Sequence, residues 1–210
     1  MALPPHLAFL RIGSPLAPHT LEIFLDYVCP YSAKIMRNAI EPVIKPAVTT
    51  GALKDKVQLL IRLQVQPWHV FSLPTHEVAI AVGRVSPESF WDYTVALLKG
   101  QDAYFDNPTA HSTPTEIRES LLKLASTIPS IGEAKIPAIR ELVSLNFDGP
   151  AKNDGVPVTP DIKWHVKLAR QNSVHVSPTV VWDGIKNDDI GSAWVEKEWS
   201  QFFASSVTAK

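Results

Sequence analysis

The run Leu21-Glu22-Ile23-Phe24-Leu25-Asp26-Tyr27-Val28 ends at Cys29-Pro30-Tyr31-Ser32, and this junction constrains the fold more than any other stretch of the chain. A nearly unbroken apolar run, too short for a bilayer and stopped by a proline, reads as a strand buried on both faces. Pro30 has a fixed φ and no N–H, which suits the first position of a helix, so the strand should turn directly into a helix with Cys29 at its start. The sulfur would then face unpaired amide groups, whose dipoles favour a thiolate. Cys29 is therefore a candidate nucleophile, and the alternative is a small buried residue without reactivity.

Around this junction the remaining pattern falls into order. Residues 6–12 have the composition of a short strand, and 20–28 form the buried strand already described. The helix after Cys29 carries Met36, Ile40, Val43 and Ala47 on one stripe, with Pro42 expected to remove the bond to Asn38 and bend it. Val57, Leu59, Ile61, Leu63 and Val65 alternate with Gln58, Leu60, Arg62, Gln64 and Gln66, a period of two that marks a strand parallel to the first across the helical crossover. Helical spacing then dominates residues 75–85, 87–98, 114–128, 136–147 and 160–171, and the stretch 149–159 reads as a loop. Residues 174–183 return to strand character. Asp183-Gly184 is a hairpin signal leading into a short, irregular strand at 185–190, and Ser192 should cap a closing helix rich in aromatics, among them Trp194, Trp199, Phe202 and Phe203.

Several function classes are excluded by composition. The 210 residues carry a formal net charge of −1 without a long basic run, which argues against a nucleic-acid footprint and a polybasic membrane patch. No apolar segment reaches transmembrane length. The first fifteen residues make a poor signal peptide, the chain has one cysteine, and no Asn-x-Ser/Thr sequon is found, so a reducing, cytoplasmic setting is the simpler expectation. His69, His76, His165 and His175 lack metal-ligand spacing, and no metal site is expected. Oligomeric state is not set by the sequence, which allows a homodimer.

Cys-Pro-Tyr-Ser after a strand, Ser177-Pro178-Thr179 further on and Val180-Val181-Trp182-Asp183-Gly184 behind it resemble the DsbA-like branch of the thioredoxin fold. Phe24-Leu25-Asp26-Tyr27 followed by Pro30-Tyr31-Ser32 is also similar to the kappa-class glutathione transferases and hydroxychromene carboxylate isomerases of that branch. The resemblance implies an α/β fold in which a thioredoxin-like core, β-α-β and β-β-α, surrounds a large all-helical insertion, and the element order agrees. The core would take residues 1–73 and 173–210, and the insertion 74–172. It further implies a cis peptide before Pro178, Pro178 packed beside Cys29, and a Ser177 backbone free to pair with an extended substrate. The chain departs from the dithiol members, because Ser32 stands where a second thiol would be. It departs from the transferases too, which commonly carry a serine at the position of Cys29.

Around the candidate nucleophile, each neighbour has two readings. Ser32, one helical turn on, could donate to a Cys29 thiolate or be an exposed first-turn serine. Tyr31 could shape a groove or pack against the insertion. Asp26 could relay a proton, though an ionised carboxylate there opposes a thiolate, or it could bond backbone groups at the strand end. Pro67, Trp68 and His69 lie at the C-terminal edge of the parallel pair, where ligands tend to bind, which makes Trp68 and His69 candidate pocket residues, although hinge and interdomain packing is the favoured reading. Three functions follow. The leading one is a monothiol thiol–disulfide oxidoreductase in which Cys29 forms a mixed disulfide resolved by glutathione as co-substrate, with Pro30, Tyr31, Ser177 and Pro178 holding the substrate. The second is a glutathione transferase or isomerase in which Cys29 or Ser32 orients glutathione. The third is a catalytically silent module holding a peptide or partner in the groove beside Pro178. No tightly bound cofactor is expected in any of them.

Overall fold

In the computed structural model, which describes residues 3–207, the chain opens with a 3-10 turn, Pro5–Leu10, and a two-residue strand, β1 (Arg11–Ile12). The strand expected over 6–12 is thus confined to its last two residues. Pro4 and Pro5 start a turn whose Leu7 and Leu10 are fully buried, and burial of those two side chains outweighs their strand preference. The buried strand follows as β2 (His19–Leu25), and residues 26–29 are a turn rather than its continuation. Next comes α1 (Pro30–Ile35), which passes into a π-helical stretch, Met36–Ile44, and then α2 (Lys45–Thr49). Pro42 lies inside the π stretch. The wider turn accommodates a ring that would collide with the Asn38 carbonyl in an α-turn, so a widened turn answers the proline where a bend is expected.

β3 (Val57–Leu63) runs parallel to β2 in the register Leu21 to Leu59, Ile23 to Ile61 and Leu25 to Leu63. Between β3 and the next strand lie α3 (Ser72–Val85), α4 (Phe90–Lys99), α5 (Asp106–Thr109), α6 (Pro114–Ser126), α7 (Gly132–Leu142) and α8 (Thr159–Gln171), with short 3-10 turns at Pro87–Ser89 and Gln101–Tyr104. The helix expected over 136–147 begins four residues earlier and takes Pro137 into its interior, and Leu145 and Phe147, outside it, are exposed. The final hairpin is β4 (Thr179–Trp182) and β5 (Ile185–Asn187), shorter than the strands expected over 174–183 and 185–190. It is joined by Asp183 (φ 48°) and Gly184 (φ 86°), the positive pair a tight primed turn requires. The closing helix α9 (Glu196–Ser206) starts past Ser192, because the Glu198 carboxylate accepts from Val195 N–H (3.1 Å) and fixes the first turn there.

The five strands lie in the order β1-β3-β2-β4-β5, with the β2/β3 pair parallel and the other pairs antiparallel. This is a thioredoxin-like α/β fold with a helical insertion. Leu21, Ile23 and Leu25 face the main core, which runs continuously from the sheet into α3, α4, α6 and α7 and reaches Trp199 and Phe203 of α9. Phe24 faces the other way, against Ala169 and Val174 at the end of α8. Each fully buried Leu or Ile on these faces contributes about 1.5–3 kcal/mol, which fixes β2 at the centre and its C-terminal end at the site. Among the described residues no helix is long and apolar enough to cross a membrane.

Candidate functional site

The site forms where β2 and β3 end and β4 begins. Cys29 is the residue before α1, in an extended conformation (φ −88°, ψ 120°), with its N–H donated to Asp26 O (3.1 Å). Its carbonyl accepts from Ser32 N (3.0 Å), Ala33 N (3.2 Å) and Gln101 Nε2 (3.2 Å). The side chain is 5% exposed, and Sγ donates to Ser177 O at 3.3 Å. The sulfur thus faces a carbonyl of the Ser177 loop, where helix-start amides are expected. That is the arrangement of a thiol, a weak donor needing an acceptor. The Ser177–Pro178 peptide is cis.

Beneath the turn lies a buried polar cluster. Asp26 has no exposed surface: Oδ1 accepts from Val28 N (3.0 Å), and Oδ2 from Gln66 N (3.2 Å) and His69 Nδ1 (2.8 Å). Of its two readings, the carboxylate takes the one that bonds backbone groups at the strand end. Ser32 is also fully buried, and its Oγ accepts from Asp26 N (3.1 Å), with no hydrogen bond to Cys29 Sγ among the described residues. It is neither the exposed serine nor the thiolate donor the spacing suggested, because the turn at residues 26–29 brings the Asp26 amide to it. His69 joins the cluster through Asp26, whereas Trp68, read as pocket residue or as hinge packing, is 57% exposed, meets the His69 ring edge-on at 6.1 Å and lines a cleft. Tyr31, two residues past Cys29, is 61% exposed instead of packing on the insertion, and Val70 is exposed as well.

Two glutamines complete the arrangement, and neither stands out in the sequence as a site residue. Gln101, from the helical segment, donates to Tyr27 O (2.7 Å) as well as to Cys29 O, fastening both sides of the turn. Tyr27 is buried with its hydroxyl against Thr94 Oγ1 (2.9 Å), and burial raises its phenol well above the ordinary range. Gln66, just past β3, points its carboxamide at the Ser177 loop. Only with Oε1 toward Ser177 do both neighbours find complementary partners: Oε1 accepts from Ser177 N (2.7 Å) and Oγ (3.2 Å), while Nε2 donates to His175 O (3.3 Å). Contrary to expectation, the Ser177 backbone is not free, since Gln66 holds its N–H and Cys29 its carbonyl. Beside it a cleft of about 390 Å³ is lined by Pro67, Trp68, Arg170, Val174 and His175, together with Gln64 and Gln66. No group of three or more potential metal ligands occurs among the described residues.

A sequence profile of the family described as thioredoxin matches residues 8–197. The chain belongs to the thioredoxin family. Within it, a candidate protein-disulfide isomerase of Pseudomonas syringae is 25% identical, with a TM-score of 0.71 over 94% of this chain and 98% of its own. BdbD of Bacillus subtilis is 19% identical (TM-score 0.64, 93% and 91% covered), and DsbA of Chlamydia trachomatis 21% (TM-score 0.62, 95% and 94%). These neighbours show that the chain shares the DsbA-like form of the thioredoxin fold, with a helical insertion. No curated protein matches the chain.

Proposed function

We propose that this protein is a monothiol thiol–disulfide oxidoreductase linked to glutathione. The observation that carries the reading is the thiol of Cys29 at the start of α1, held against the carbonyl of the residue that precedes Pro178. The relatedness to a candidate protein-disulfide isomerase supports disulfide chemistry. In the reaction, deprotonated Cys29 attacks a disulfide R–S–S–G at the glutathione sulfur, the S–S bond breaks, and R–S⁻ leaves and is protonated by solvent. A second glutathione thiolate then attacks the Cys29–glutathione disulfide, releasing oxidised glutathione and restoring Cys29, so one R–S–S–G and one glutathione give one R–SH and one oxidised glutathione. With one cysteine in the chain, the resolving thiol comes from solution. A reducing, cytoplasmic compartment would supply it.

The exposed Tyr31, Trp68 and Val70 side chains offer apolar contact to the R group, and the Arg170 guanidinium in the cleft beside Gln66 offers charge to a glutathione carboxylate. The test is turnover of a glutathione mixed disulfide with glutathione in excess. Cys29→Ser should fall to the uncatalysed background, and Ser32→Ala should lower the rate without removing it. Activity retained by Cys29→Ser and lost in Ser32→Ala would overturn this reading in favour of a glutathione transferase.

A further inference from the structure

In the parallel ladder of β2 and β3, a residue donates its N–H to one carbonyl of its neighbour and accepts from an N–H two residues further along. The Gln66 carboxamide makes that same pair of bonds to the Ser177 loop. Its Nε2 donates to His175 O and its Oε1 accepts from Ser177 N, bracketing Val176 as a neighbouring strand residue would. The carboxamide is held in place, because the residue is 1% exposed and its backbone N–H is shared between Asp26 Oδ2 and Ser72 Oγ, each at 3.2 Å. A polypeptide laid in extended form along residues 175–177 needs the His175 carbonyl and the Ser177 amide, and both are taken. A small disulfide needs neither.

We propose that Gln66 is a specificity-determining residue that occupies the His175 carbonyl and the Ser177 amide, the groups that strand addition to this loop would need, so that the site takes small disulfides and rejects extended polypeptides. The small-disulfide half rests on the proposed function; the rejection of polypeptide rests on the Gln66 geometry alone.

The experiment therefore avoids thiol chemistry. A cysteine-free decapeptide of alternating threonine and valine with terminal lysines is titrated into the reduced full-length protein and its Gln66→Met variant, following the Ser177 amide by NMR. Methionine keeps the volume and removes both bonds. The expected result is peptide binding about tenfold tighter in Gln66→Met, the size of effect that two backbone partners released from competition give at the usual net worth of a hydrogen bond. Ser177 amide exchange should also be faster in the peptide-free variant. Gln66→Glu, which retains an acceptor for Ser177 N–H and loses the donor to His175, should lie between the two. Equal or weaker peptide binding in Gln66→Met, or no peptide binding by either chain, would overturn the proposal and leave Gln66 as a clamp on the loop. A chain that fails to turn over glutathione disulfides while showing the tightening would overturn only the proposed function.

Discussion

Two carboxylates without exposed surface, Glu22 within β2 and Asp26 just past its end, lie close in sequence and in opposite surroundings. Asp26 is surrounded by three donors from two segments: Val28 of its own turn, and the Gln66 amide and His69 ring in the turn beyond β3. Glu22 has Arg62, whose Nε reaches Oε2 at 2.5 Å, while among the described residues Glu22 Oε1 and both Arg62 Nη atoms have no hydrogen-bond partner. The guanidinium lies over the Trp164 ring at 5.4 Å, and His165 Nε2 nearby is also unpartnered. A buried charge met by many fixed donors defines a geometry. An isolated buried pair resists being broken but adds little net stability, because desolvation offsets the attraction.

The largest effect should come from breaking the isolated pair. Arg62→Met leaves the Glu22 charge uncompensated and should cost about 3–5 kcal/mol in urea unfolding, whereas Glu22→Leu with Arg62→Met should recover most of it. A double variant as unstable as the single would make the pair a net stabiliser. At the other carboxylate, Asp26→Asn keeps an oxygen for Val28 but sets an NH2 against the Gln66 amide or His69, at about 1–3 kcal/mol. Its signature is local: alkylation of Cys29 in the native state should speed up, and in the Glu22/Arg62 double variant it should not. The contrast fails if both variants change the alkylation rate alike.

Burial, and then the charges of Arg62 and His76, hold the His165 imidazole well below its ordinary value. The folded chain thus keeps His165 neutral where the unfolded chain takes up a proton. The stability this contributes is complete above about pH 6.5 and is lost below it, by up to about 1.4 kcal/mol per pH unit. His165→Gln should flatten that acid slope, and unfolding midpoints measured between pH 7 and 5 would reveal it; parallel slopes would refute it. Smallest is Ser32→Ala, which strips the Asp26 N–H of its acceptor for about 1 kcal/mol, seen as a lower midpoint in thermal unfolding.

What the sequence made legible was local. The apolar run through Leu25, the proline after Cys29 and the Asp183-Gly184 turn each act within a few residues, and each fixed an element close to its observed place. Misreadings came where local preference met a competing local partner: Glu198 sets the start of α9 that Ser192 was expected to set, and two N-terminal prolines turned a strand-like segment into a 3-10 turn. The site was legible in its sulfur and its Ser177-Pro178 loop, but not in what holds them. Gln66 and Gln101 are ordinary polar residues whose partners lie far along the chain, and His69 gives no local sign of Asp26. Such pairings follow from the strand order rather than from spacing.

Both backbone groups of Cys29 are pinned, the N–H by Asp26 and the carbonyl by three donors, one of them from the helical segment. The main chain there has nowhere to go. The freedom that remains is torsion about the Cα–Cβ bond, between staggered wells. In the proposed reaction, Sγ lets go of the Ser177 carbonyl and swings outward to meet a disulfide. The first event of that proposed reaction is then a single side-chain rotation in an otherwise stationary frame, a latch lifting rather than a door opening.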